Sequence, residues 1–156
     1  MPNPQTDLMK GLTQAQAEEF AALGQTIRVS AGEVLFHLGD TADRVYQVVR
    51  GRVTLTLPMQ VRGKEEDVMI EERLAGETLG WSGLVPPHRF TLKATASVDT
   101  ELIAYSRQQL LEHFAQRPTV AFTVTRNVAS VIAQRLQVFQ TMWLREMQRA
   151  VELRYS

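Results

Sequence analysis

With 156 residues, 44% of them hydrophobic and 22% charged, the chain has the size and balance of one compact domain with a real core. Seventeen Lys and Arg offset seventeen Asp and Glu, so there is no surplus of positive charge to grip nucleic acid regardless of its sequence. The absence of cysteine excludes disulfides, thiolate nucleophiles, cysteine-held zinc and cysteine-held iron–sulfur clusters.

Residues 1–10 carry no apolar run of the signal-peptide kind, and no stretch approaches the roughly 20 apolar residues of a membrane span. A soluble, cytoplasmic chain with no membrane partner is the expectation. Thr13 precedes Gln16 by three residues, the spacing of a helix capping box. A short amphipathic helix follows over Gln14–Leu23, with Phe20 and Leu23 on one side and Gly24 as its stop.

From Ile27 to Tyr105 the pattern is β. Runs at Ile27–Val29, Val34–Phe36, Val45–Val49, Val53–Leu57, Val68–Glu72, Phe90–Ala96 and Leu102–Tyr105 are separated by Gly, Pro, Asp or charged turns. Val53–Leu57 and Phe90–Ala94 alternate apolar and polar residues, as half-buried strands of an antiparallel sandwich or barrel do. Gly32, Gly39 and Gly51 punctuate the first runs with backbone angles that other residues reach only at a cost. Gly63-Lys64 marks a hairpin turn, and the charged runs Lys64–Asp67 and Glu71–Arg73 read as solvated turns and edges.

After Ser106 the signal turns helical, first over Gln108–Gln116. Pro118 then suits a helix start, and Thr119–Arg154 contains neither Gly nor Pro, which predicts one long helix. Val128, Ile132, Leu136, Phe139, Trp143, Met147 and Ala150 recur at spacings of 4, 4, 3, 4, 4 and 3. Such a stripe serves either as core or as the seam of a parallel two-helix coil. A helix this long cannot bury its whole stripe on one small sandwich, which favours the seam and a homodimer through Thr119–Arg154.

The Gly32-Glu33 turn, Gly39-Asp40, the Val45-Tyr46 strand and Gly51, followed by Gly63-Lys64, Gly76-Glu77, Gly80 and Asp99–Leu102, closely resemble the cyclic-nucleotide-binding domain of the catabolite activator family. The run Arg135–Val138 also falls at family spacing. The resemblance covers roughly Leu12 to Val151. It implies a mainly β fold with flanking helices: a double-stranded β-helix (jelly-roll) sandwich over residues 1–118, then a long C-terminal dimerisation helix over 119–156 of the same domain.

The resemblance places the ligand pocket at Gly80–Thr91. A short helix there aims backbone N–H groups at the cyclic phosphate, a Glu after the glycine accepts from the ribose, and an Arg some nine residues later neutralises the phosphate. Gly80 matches this pattern, but the Glu position holds Trp81, which accepts nothing. The Arg position holds Phe90, with Arg89 one residue early; neighbouring strand residues point to opposite faces, although a bulge near Pro86-Pro87 restores Arg89 as a candidate. Thr91 matches the family's small hydroxyl. The polar pair that contacts the base from the long helix falls on Phe139 and Gln140. The resemblance therefore implies a pocket of Gly80, Trp81, Ser82, Arg89 and Thr91, closed by Phe139 and Gln140, for a cyclic nucleotide or a related nucleotide. Two lost charge-assisted contacts, each about 1.5–3 kcal/mol, weaken binding about a hundredfold or more.

Two functions follow. One is a stand-alone sensory and regulatory domain of weak or altered nucleotide specificity, in which a ligand repositions the long helix. The other is a ligand-free dimerisation or protein-interaction module whose pocket is filled by Trp81; a buried Trp more often packs than recognises. His37, His88 and His113 are far apart in sequence and read as surface or core histidines rather than metal or haem ligands. No nucleophile elbow, phosphate-cradling loop or distinctive carboxylate pair points to an enzyme. The chain ends at Ser156, where DNA-binding relatives continue into a helix-turn-helix module, so DNA binding by this chain alone is not expected.

Overall fold

A computed structural model of the chain describes residues 6–155; residues 1–5 and 156, which fall inside the expected domain bounds, lie outside the described residues. Local capping chemistry sets the first helix. Thr13 Oγ1 accepts from the Gln16 N–H at 3.2 Å while the Gln16 side chain accepts from the Thr13 N–H at 2.9 Å, and α1 runs over Gln14–Ala21. It ends two residues earlier than expected, and Gly24 is not its left-handed stop. Gly24 is there for space: a Cβ on it would stand 2.2 Å from Ile103.

Among the described residues eight strands follow: β1 (Gln25–Val29), β2 (Val34–Phe36), β3 (Arg44–Arg50), β4 (Val53–Val61), β5 (Lys64–Arg73), β6 (Thr78–Leu79), β7 (Lys93–Ala96) and β8 (Thr100–Ser106). They form two four-stranded sheets, ordered β1-β8-β3-β6 and β2-β7-β4-β5, with antiparallel pairing throughout. This is the jelly-roll sandwich the resemblance implied. The β4–β5 turn is Arg62-Gly63, one residue before the expected position, with φ of 52° and 80°. The strand expected from Phe90 begins only at Lys93, because Phe90 is bonded outside the ladder, donating to the Asp40 carbonyl and accepting from the Gly39 N–H.

Alternation within the strands produces two cores. Tyr46 and Val48 on β3 face the other sheet and pack with Phe36, Val53, Leu55, Leu79, Phe90 and Leu102. Val45 faces the other way and packs with Leu8, Phe20, Tyr105, Leu110 and the start of the long helix. That second core is closed by α2 (Arg107–Gln116) and α3 (Pro118–Arg154), the latter with Pro118 in its first turn.

On α3, Val120, Val124, Val128 and Val131 are buried against the sandwich. Beyond them the apolar stripe comes to the surface: Leu136, Trp143, Leu144, Met147 and Val151 are exposed. A strap over residues 6–10 ties the helix to β6. Asp7 accepts from the Thr78 N–H and hydroxyl, and the Asn127 amide donates to the carbonyls of Leu8 and Lys10, each at 2.8 Å.

The runs expected to be solvated are corrected in part. Lys64–Asp67 is exposed, but Glu71 and Arg73 point inward, with side chains 10% and 5% exposed. The cause is a bulge: Leu55 pairs with Glu71 and Thr56 with Met69, leaving Ile70 as an extra residue. One extra residue reverses the facing of everything after it.

Candidate functional site

The segment after β6 turns sharply because Gly80 takes a left-handed φ of 76°; a Cβ there would also come 3.2 Å from the Phe90 ring. One 3-10 turn, Trp81–Leu84, follows, closed by the Gly83 N–H donating to the Gly80 carbonyl at 3.0 Å. Ser82 and Gly83 are buried in it, and His88 Nδ1 reaches the Ser82 carbonyl at 3.2 Å.

Between this turn, the sheet and α3 lies a cavity of about 10 Å³, lined by Phe36, Leu55, Gly80–Ser82, Phe90–Leu92 and Arg135. That is room for about one water molecule. Two contacts leave it so small. The Phe36 and Phe90 rings stack with centroids 3.7 Å apart and planes 10° from parallel. From the other side Arg135 of α3 lays its guanidinium over the Trp81 ring, 5.6 Å from the centroid.

Of the residues expected in the pocket, Gly80, Trp81, Ser82 and Thr91 line this cavity. Phe139 packs against the sheet core beside it, and Gln140 is exposed. Arg89 lies on the outside: it is exposed, its Nη1 donates to the Gly39 carbonyl at 3.0 Å, and its backbone bridges Thr41. Trp81 packs on the helix-side core with Leu84 and Val85, while its Nε1–H is buried with no hydrogen-bond acceptor among the described residues.

Sequence reasoning missed the charged part of the site. Arg135 is 7% exposed and grips Glu71 of β5 with two nitrogens, Nε to Oε1 at 3.3 Å and Nη2 to Oε2 at 3.5 Å. Glu71 also pairs with Arg73 Nη2 at 2.9 Å, and Arg73 Nη1 continues to Glu77 at 3.3 Å. Burial pulls the Arg135 guanidinium below its ordinary pKa; Glu71 opposes that shift and Arg73 adds to it. The only signal of this network was the run Arg135–Val138 at family spacing, which carried no information about a partner.

Among the described residues, no group of three or more His, Asp or Glu is placed to hold a metal, and no helix is long and apolar enough to cross a membrane. Residues 26–117 match the model of the cyclic nucleotide-binding domain. The chain belongs to that family. The cyclic AMP receptor protein of Thermus thermophilus is 28% identical over 130 residues, covering 83% of this chain and 57% of that protein. The lysophospholipase nte1 of Aspergillus oryzae is 29% identical over 112 residues, 71% of this chain. The chain thus spans little more than half of the first relative and 7% of the second. Among solved structures, the N-terminal domain of a transcriptional regulator from Streptomyces coelicolor is similar at a TM-score of 0.69 and 28% identity, covering 83% of this chain and 90% of that one. The domain is a regulatory one of cyclic nucleotide-binding type.

Proposed function

We propose that this chain is a dimerising regulatory module in which the cyclic-nucleotide pocket is closed by its own side chains, so that no ordinary cyclic nucleotide is held tightly. The observation that carries this reading is the size of the cavity beside the Gly80 turn. About 10 Å³ is far below the roughly 300–1,000 Å³ of a small-molecule site. The resemblance supports it: Trp81 replaces the sugar acceptor, Phe90 takes the place of the phosphate cation, and Arg89 faces out onto Gly39.

The second half of α3 supports the dimer. Leu136, Trp143, Leu144, Met147 and Val151 form an apolar face that the sandwich does not cover. A second copy of the chain, meeting it along the same helix, accounts for that face, and a protein partner reading the paired helices would receive the signal.

Calorimetric titration of the wild-type chain with cyclic AMP, cyclic GMP and a cyclic dinucleotide tests the closed pocket. The expected result is no binding tighter than about 100 μM. Micromolar affinity for any of the three overturns the reading.

A further inference from the structure

A buried guanidinium without an anion is costly, so Arg135 can occupy its place over Trp81 only if something supplies negative charge. Arg135 lines the cavity that the family resemblance assigns to a cyclic phosphate. The anion that pairs with it, beside that cavity, belongs to the chain itself: Glu71, carried on β5 and turned inward by the extra residue Ile70. Arg73 completes the arrangement, so one carboxylate sits between two guanidiniums, with Glu77 balancing the far side of Arg73.

We infer that Glu71 is a built-in substitute for an anionic ligand, latching Arg135, and with it the middle of α3, against the sheet without any bound molecule. The inference rests on the closed-pocket reading and extends it, because it says what holds the long helix when no nucleotide does. The latch sits where α3 changes character. Val131 on the sandwich side of Arg135 is buried, whereas Leu136 just beyond it is 58% exposed. Among the described residues the contact is the last ion pair from the helix to the sheets, and the apolar face begins there.

The test is amide hydrogen exchange on the full chain, comparing wild type with Glu71→Ala, Glu71→Gln and Arg135→Gln, in sodium chloride and in sodium acetate at equal ionic strength. Replacing Glu71 with Ala removes the atoms of one acetate ion, so acetate is the matching probe. In chloride, amides of residues 131–140 should exchange at least about tenfold faster in both Glu71 variants, with those of β3 and β8 still the slowest to exchange. Acetate should restore protection in Glu71→Ala, and should not do so in Glu71→Gln, where the amide fills the space, or in Arg135→Gln, where the cation is gone.

Unchanged protection of 131–140 in both Glu71 variants overturns the latch. So does restoration of Arg135→Gln by acetate, failure of acetate on Glu71→Ala, or exchange of β3 and β8 as fast as 131–140 in both Glu71 variants, since opening of a latch on α3 leaves the sheets closed. Cyclic nucleotide binding by the wild-type chain bears on the closed pocket, whereas acetate rescue bears on the latch, so the two readings fail separately.

Discussion

The rings of Phe36 and Phe90 lie 3.7 Å apart and within 10° of parallel, one from β2 and one from the segment just before β7. Both are 6% exposed, so the stack forms part of the sandwich core as well as one wall of the cavity beside Gly80. Phe90 accordingly cannot be removed without loosening the fold. Phe90→Ala should destabilise the chain by about 3–5 kcal/mol in urea unfolding, the range for deleting a buried aromatic ring. A loss below about 1 kcal/mol would show that the stack is not part of the core.

The two ends of the Arg135–Glu71 pair should respond unequally. Arg135→Met leaves Glu71 with Arg73 at 2.9 Å, and a flexible apolar side chain can still cover Trp81. Glu71→Gln leaves two buried guanidiniums with one fewer carboxylate between them. Removing one partner of a buried pair costs most where the charge left behind has no other counterion. Urea midpoints should therefore fall at least twice as far for Glu71→Gln as for Arg135→Met; the reverse order would show that Arg73 does not share Glu71.

Tyr105 is fully buried in the helix-side core, and burial pushes its phenol up to about 12. In the unfolded chain the same group ionises near 10, so above that pH the unfolded state releases a proton that the native state keeps. Stability from this group is thus complete below about pH 10 and falls by about 1.4 kcal/mol per pH unit as the pH climbs toward 12. Tyr105→Phe removes the ionisation and should flatten that slope in unfolding measured between pH 9 and 11. A slope identical to wild type would place the alkaline transition elsewhere.

The exposed apolar face of α3 predicts the oligomeric state. Sedimentation velocity of the wild-type chain should give twice the chain mass, and Trp143→Glu combined with Met147→Glu should give the monomer with an unchanged circular dichroism spectrum. Both side chains are well exposed within the chain, 62% and 43%, so the charges meet no core of their own domain. A wild-type monomer at tens of micromolar would remove the dimer from the proposed function.

Much of the scaffold was legible because its signals are local. Thr13 and Gln16 specify a cap by their spacing alone, and Val53–Leu57 reports its two faces by alternation. Two-residue β6 is too short to leave any pattern, so Thr78 and Leu79 were missed. Glu71 and Arg73 were misread for a different reason. Their facing depends on where Ile70 bulges out against Leu55 and Thr56, and that is a property of the partner strand rather than of the run itself. The same holds for Arg89, whose outward turn is set by Gly39 and Thr41, about fifty residues earlier.

The strap over residues 6–10 has a mechanical meaning. Tension applied to the start of the chain would arrive at two places together, at α3 through the Asn127 amide and, through Asp7, at Thr78, two residues before Gly80. Tension applied at the far end of α3 would instead work along a lever whose outer turns expose Trp143, Leu144, Met147 and Val151, and would reach the sandwich near Phe139 and Arg135. The two ends of this domain are therefore not equivalent handles: one pulls on the Gly80 turn directly, the other only after the helix has been peeled back to its charged anchor.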